Sequence, residues 1–299
     1  MSDSPHKAGY AAFIGKPNAG KSTLVNALLG QKLSIITAKP QTTRKTVLGI
    51  ISEPAYQIIM LDTPGLLKPG YLLQERMMEF AQAAVRDADI IIFLIDPTQP
   101  GFPEHFNAML TLQDKKKIAV ITKIDIAEPE AIEKTRQELI DGKQFDAVVT
   151  ISALQLLHME ELKNLIIGYL PEHPAYYPDD IVSDSNERFF VTEIIREKIL
   201  ELYSEEIPYS CEVLIEEFKE REQGKDFISA YIMVERDSQK GILIGAGGKA
   251  MKKLGEESRK AIEEFLQRSV YLDLRLKVRE KWRSDEKMLK AFGYQPPGE

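Results

Sequence analysis

The segment Gly15-Lys16-Pro17-Asn18-Ala19-Gly20-Lys21-Ser22 narrows most what this chain can fold into. Its spacing, GxxxxGK[ST], lies between the apolar run Tyr10–Ile14 and the helix-length stretch Thr23–Leu29. This predicts a strand that turns through a tight loop into a helix. Glycines let the backbone bend so that successive N–H groups converge on an anion, and the helix N-terminus adds a favourable dipole. Lys21 is then placed to neutralise the β- and γ-phosphates of a nucleoside triphosphate, and Ser22 and Thr23 begin the helix, Ser22 as a Mg²⁺ ligand. The loop alone does not choose between adenine and guanine.

The first half of the chain fits that start. From Gly9 to about Leu170, short apolar runs alternate with amphipathic helix-length stretches, the pattern of an α/β sheet with crossover helices. Strands are expected near Tyr10–Ile14, Thr46–Ile51, Tyr56–Leu61, Ile90–Ile95, Ile118–Ile121 and Val148–Ile151. Runs such as Ile90-Ile-Ile-Phe-Leu-Ile95 are apolar throughout rather than alternating, which predicts parallel strands covered by helices on both faces.

Three further segments carry chemistry. Asp62-Thr63-Pro64-Gly65 follows a strand, so Asp62 projects from a strand end toward the phosphates and metal, and Gly65 offers its N–H to a γ-phosphate. DTPG also makes an ordinary turn, and the upstream loop is what gives it meaning. Thr122-Lys123-Ile124-Asp125 follows the strand Ile118–Ile121. A carboxylate at Asp125 can accept from both N1 and N2 of guanine, a donor pair that adenine lacks, and Lys123 would lie over the base. A buried charged acceptor left unpaired costs at least about 1–3 kcal/mol, so Asp125 discriminates against ATP. Thr122 stands where Asn is more usual, whose amide bridges guanine N7 and the phosphate loop. Ser152-Ala153-Leu154, after the last strand, fits a loop whose N–H at Ala153 meets guanine O6. Between loop and sensor, Lys39-Pro-Gln-Thr42-Thr43-Arg44 reads as a switch whose Thr closes on Mg²⁺, with Thr43 preferred to Thr42.

The second half differs in kind. The stretch Leu170-Pro-Glu-His-Pro-Ala-Tyr-Tyr-Pro-Asp-Asp180 interrupts all periodicity and predicts a boundary. The expected organisation is a nucleotide-binding domain over residues 1–172, a linker over 173–187, an RNA-binding domain over 188–283, and a basic helix and loose tail over 284–299. A helix (Phe189–Tyr203), two strands (Cys211–Arg221 and Phe227–Glu235), a glycine-rich turn, a helix (Lys249–Gln267) and a strand (Val270–Glu280) are read there. The turn, Ile242-Leu-Ile244-Gly245-Ala246-Gly247-Gly248-Lys249, holds a GxxG of the kind that clamps a nucleic-acid backbone. It also meets GxGxxA, but no further βαβ unit follows to make a dinucleotide site. The whole chain is acidic, with net charge −7, yet residues 236–290 hold 15 Lys and Arg against 9 Asp and Glu. Lys249, Lys252 and Lys253 flank the turn, and phosphate attraction from such a cluster weakens with salt.

Phosphate loop, sensor, switch, base loops and glycine turn, in this order, make the chain resemble the Era family of GTPases over nearly its whole length. The resemblance implies a P-loop GTPase α/β domain with a mixed, mostly parallel sheet and helices on both faces, followed by a smaller α+β type II KH domain of α-β-β-α-α-β order. It implies binding and hydrolysis of GTP with Mg²⁺, attachment to small-subunit ribosomal RNA near its 3′ end, and assistance to assembly of the small ribosomal subunit. Leu66 occupies the place where Ras-like proteins carry a water-orienting Gln, so intrinsic turnover is expected to be slow. In related GTPases with an apolar residue there, an Asn at the position of Asn18 ligates K⁺, which implies K⁺ stimulation. The candidate catalytic residues are therefore Asn18, Lys21, Thr43 and Gly65. Family members usually carry Lys inside the GxxG where this chain has Ala246.

A passive RNA-binding module that holds nucleotide only structurally is the chief alternative, and an ATP-driven enzyme the third. Cys211 is the only cysteine, which fits a reducing compartment and excludes thiolate metal clusters. A cytoplasmic placement is expected, since no apolar run reaches about 18 residues and the N-terminus lacks a leader's charged and apolar regions; a monomeric state is expected beside it. Lys281–Tyr294 is basic and weakly amphipathic. Packing of Trp282, Leu289 and Phe292 onto the domain is the first reading of that segment, and peripheral contact with the inner face of the cell membrane the second.

Overall fold

The structure, a computed structural model, describes residues 5–99 and 114–295 of the chain. The last residues of the expected tail, 296–299, lie outside the described residues. Two compact units are present: one built from residues up to Gly70 and from Gln74 to Asp184, the other from Tyr71–Leu73 and Ser185–Gln295.

The first unit's elements are β1 (Lys7–Gly15), α1 (Lys21–Leu29), β2 (Val47–Glu53), β3 (Tyr56–Asp62), α2 (Leu72–Asp87, whose first residues belong to the other unit), β4 (Ile90–Ile95), β5 (Lys116–Ile121), α3 (Pro129–Asp141), β6 (Ala147–Thr150) and α4 (Met159–Tyr169). The strands lie in the order β2-β3-β1-β4-β5-β6. All neighbours are parallel except the edge pair β2/β3, which is antiparallel. Ile90 to Phe93 are fully buried, as a strand covered on both faces requires. Alternate residues of each strand face opposite sides. Phe13, Met60, Ile92, Leu94 and Val120 pack with Leu24 of α1 and Leu162 and Ile166 of α4. Ala119 and Ile121 pack with Leu139 of α3 on the other face.

β1 sits between β3 and β4, so chain connections diverge to the two sides at its C-terminal end. In open α/β sheets such a switch point leaves a crevice beyond the strand ends where ligands bind. The register Phe13↔Asp62 brings the end of β3 beside the end of β1, so the two motifs that follow them meet.

Residues 173–184, expected as a linker, are fastened to this sheet. Gln57 of β3 is fully buried; its Oε1 accepts from the Tyr176 and Tyr177 N–H groups (2.8 and 3.0 Å) and its Nε2 donates to the Tyr177 carbonyl (2.8 Å). The N–H of Ile50 donates to the Val182 carbonyl, and the Ser183 hydroxyl to the Leu48 carbonyl, so this strap covers the free edge of β2.

The second unit holds α5 (Glu187–Leu202), α6 (Ile207–Ser210), β7 (Glu212–Lys219), β8 (Asp226–Val234), α7 (Asp237–Ile244), α8 (Lys249–Leu266), β9 (Val270–Val278) and α9 (Glu286–Ala291). β7 and β8 are antiparallel, β8 and β9 parallel. Ile228, Ala230, Ile232 and Val234 alternate toward α5 and α8, which answer with Ile195, Ile199, Leu254 and Ile262. No sequence pattern predicts α6, and Ile242–Ile244 is expected as part of the glycine turn. In the fold that run is the last turn of α7, with Leu243 buried and Ile242 and Ile244 exposed. Gln239 Oε1 accepts from the Glu235 and Arg236 N–H groups at the start of this short helix.

Beyond β9, the packing expected of Trp282, Leu289 and Phe292 is present, and the loose tail expected at Tyr294 is not. Trp282, Leu289 and Phe292 are buried, and the Trp282 Nε1–H donates to the Ser210 carbonyl at 3.0 Å. Tyr294, expected in a loose tail, is 2% exposed and its hydroxyl donates to Glu212 Oε2 at 2.8 Å. The buried carboxylate needs that donor, and the phenol ring covers the core beneath it.

Candidate nucleotide and RNA sites

The loop between β1 and α1 takes left-handed backbone at Asn18 (φ 62°) and Gly20 (φ 93°), which curls it around the start of α1. Lys21 folds back beneath the loop and donates to the carbonyls of Gly15 (3.3 Å) and Lys16 (3.1 Å). Its ammonium is buried, and desolvation outweighs attraction from Asp62 and lowers its pKa to about 8. A buried cation hydrogen-bonded to two backbone carbonyls, with Asp62 too weak to offset its desolvation, is a site prepared for anionic oxygens.

Ser22 opens α1, and its hydroxyl donates to Asp62 Oδ2 at 2.7 Å and lies 3.0 Å from Thr43 Oγ1. Thr43 is 8% exposed and Asp62 fully buried. Thr42 turns elsewhere: its hydroxyl donates to the Lys39 carbonyl (2.7 Å) and meets Thr37 Oγ1 (2.8 Å). Two hydroxyls and a carboxylate around one point form an all-oxygen set, the chemistry that suits Mg²⁺ with phosphate oxygens completing its shell. Mg²⁺, when bound there, supplies charge for the β- and γ-phosphates.

Gly65 lies against the phosphate loop so closely that a Cβ would stand 2.8 Å from Cα and N of Pro17. Its neighbours are structural in their contacts. Thr63 is buried with its hydroxyl donating to the Phe13 carbonyl (2.7 Å), and the N–H of Leu66 donates to the Gly15 carbonyl (2.9 Å) while its side chain is buried. Asn18 reaches across to the switch, its Nδ2 donating to the Ala38 carbonyl at 2.9 Å.

A cleft of about 420 Å³ joins these parts. Pro17, Asn18, Gly20, Lys21, Ser22, Thr23, Thr43 and Gly65 line it together with Lys123 and Leu154 from the base loops. Ile124 N–H donates to the Ile151 carbonyl (3.3 Å), tying the loop of Asp125 to that of Ser152 and Ala153. Ser152 is buried and its Oγ accepts from the Gln155 N–H, which shapes the second loop from within. Gly15, Lys16, Ala19, Asp62, Pro64, Thr122 and Asp125 are not among the residues that line it.

Some wall residues escaped the motif reading. Ile35, Ile36 and Gln99 line the cleft. Asp96, buried after β4, holds Lys123 Nζ at 2.7 Å and accepts from the Thr98 N–H and hydroxyl. Burial opposes ionisation of Asp96, but the Lys123 ammonium and the Thr98 donors outweigh it and hold the carboxyl below the usual range. The signal for Asp96 was a carboxylate at the end of an all-apolar strand, in line with Asp62.

In the second unit, Gly245, Gly247 and Gly248 all have positive φ (69°, 60° and 76°), backbone that favours glycine. A Cβ at Gly245 would stand 2.6 Å from that of Ala250. The turn therefore presents bare backbone between α7 and α8, with Ala246, Gly247, Lys249, Lys252 and Lys253 exposed. Ile244, also exposed, stands just before it.

Two family models match the chain, one in each half. Residues 10–123 match the model of the 50S ribosome-binding GTPase family, and residues 206–283 that of the KH domain. The chain is 41% identical to GTPase Era of Clostridium botulinum over 291 residues, covering 97% of this chain and 98% of that protein. The chain belongs to the Era family of GTPases.

The chloroplastic GTPase ERA1 of Zea mays, another Era relative, is 46% identical over 296 residues, 97% of this chain and 71% of that protein. Era of Aquifex aeolicus, solved as a variant bound to GDP and AlF₄⁻, superposes with a TM-score of 0.92 at 38% identity, over 96% of this chain and 99% of that one. An Era solved with MgGDPNP and nucleotides 1506–1542 of 16S ribosomal RNA also gives 0.92, at 39% identity over 97% and 99% of the two chains.

Proposed function

We propose that this Era-family GTPase binds GTP with Mg²⁺ in the cleft at the end of β1 and, through the GxxG turn of its second unit, holds small-subunit ribosomal RNA near its 3′ end to assist assembly of that subunit. The observation that carries the first part is that Ser22 Oγ lies within 3.0 Å of both Thr43 Oγ1 and Asp62 Oδ2, with Lys21 buried next to Ser22 in the chain. Such a set responds to a γ-phosphate, because phosphate and metal add oxygen partners and charge where Thr43 of the switch segment already meets Ser22. Lys21 and the loop N–H groups bind the phosphates, Gly65 donates its N–H to the γ-phosphate, Asp125 pairs with guanine N1 and N2, and Ala153 with O6.

The RNA reading rests on the exposed glycine turn with Lys249, Lys252 and Lys253 at the start of α8, and on the Era relative solved with ribosomal RNA. Cytoplasmic placement and a monomeric state belong to the same proposal, the former resting on the lone Cys211, which is buried. For membrane contact, the apolar side chains of the C-terminal segment are already committed to the core.

Hydrolysis is carried by backbone, water and cation rather than by a base, because Leu66 is buried where a Gln would orient water. Asn18, bridging the phosphate loop and the switch, is the K⁺ ligand in this proposal. The decisive experiment measures GTP turnover in K⁺ and Na⁺ buffers, with and without small ribosomal subunits, with ATP as competitor. Slow turnover raised by K⁺ and by subunits, with ATP ineffective, is expected. Equal rates in both salts remove K⁺ from the reading, and no turnover under any condition leaves a passive RNA-binding module.

A further inference from the structure

Thr122 is 3% exposed and every hydrogen it can donate is committed. Its backbone N–H donates to the Ile95 carbonyl at 2.8 Å. Its Oγ1 stands 3.0 Å from the Ala19 carbonyl and 3.3 Å from the Ile95 carbonyl. Both neighbours are acceptors only, so the hydroxyl must be the donor, and it has one proton. Guanine presents N7 and O6 as acceptors on the edge away from N1. An amide at this position has two protons and can serve a carbonyl and N7 together, whereas the Thr122 hydroxyl has none left after serving the phosphate loop. What Thr122 does is join three pieces of backbone: the phosphate loop at Ala19, the end of β4 at Ile95, and the base loop that carries Asp125.

We propose that Thr122 is a positioning residue that locks the base loop to the phosphate loop, and that this protein recognises guanine through N1, N2 and O6 while leaving N7 unread. The inference rests on the assignment of Asp125 to guanine given above. Its consequence is a tolerance for 7-deazaguanine, in which N7 is replaced by C–H.

The test is calorimetric titration of the full chain with GDP, 7-deaza-GDP and ADP in Mg²⁺. GDP and 7-deaza-GDP should bind within about twofold of each other, well short of the tenfold that one lost hydrogen bond of ordinary strength produces. Thr122→Val should weaken both by the same factor, since the lock is lost for either base, and Thr122→Ser should restore both. Binding of 7-deaza-GDP about tenfold or more weaker than GDP in the unaltered protein overturns the proposal. So does a Thr122→Val variant that loses affinity for GDP alone. ADP competing as well as GDP overturns instead the guanine reading on which it stands.

Discussion

Lys21 shows how burial sets a residue's task. With its pKa lowered to about 8 by desolvation, it titrates in the nucleotide-free protein where a free lysine would not. The folded pKa lies below the unfolded one, so the unfolded chain binds more protons between about pH 8 and 10.5, and stability of the free protein rises with pH across that window. Bound phosphates reverse the balance by favouring the ammonium. GDP affinity is therefore expected to fall as pH rises through about 8 and to hold steady below pH 7, a profile read by titration at several pH values. A flat profile would mean that the ammonium is fully charged in the free site. Lys21, Ser22, Asp62 and Gly65 were legible because their chemistry is tied to a local spacing. Asp96 was not, since its partner Lys123 is 27 residues away and nothing in the sequence declares that pairing.

Elements obeyed local pattern where pattern was strong. The β4 run and the α8 stripe of Leu254, Ile262 and Leu266 fold as their periodicity predicts. α7 escaped because it is only eight residues long and mixes polar residues with Gly241, so its apolar end reads as extended chain. The strap over β2 escaped for a different reason: its proline-rich sequence has no period, and its order comes from bonds to Gln57 made 119 and 120 residues away. Gln57→Leu leaves three strap backbone groups without their partner, which should cost about 2 kcal/mol. Urea unfolding is expected to show that loss, with faster proteolysis between residues 173 and 184. An unchanged midpoint would mean that the strap is held by its other bonds alone.

At the scale of the molecule, the net charge of −7 conceals a basic segment over residues 236–290, and the two tasks reside in separate compact units. The double substitution Gly245→Asp with Gly247→Asp sets negative charge, and side chains with strained backbone, where a phosphate has to approach. It should lower affinity for a small-subunit 3′-end RNA at least tenfold in filter binding, while intrinsic GTP turnover keeps its rate. Loss of both together would contradict the division of labour. Unaltered RNA affinity would reject the turn as the RNA site. The sequence by itself determined the α/β nature of the first half, the phosphate loop between strand and helix, the carboxylate at the end of β3, and the glycine turn, because each is a local pattern whose spacing shapes the backbone. Only the tertiary structure decided that Thr43 rather than Thr42 stands beside Ser22, that Asp96 holds Lys123, that Thr122 is locked to backbone, and that the linker is a strap. Those facts depend on which distant groups meet when strands take their order in the sheet, and no spacing along the chain encodes them.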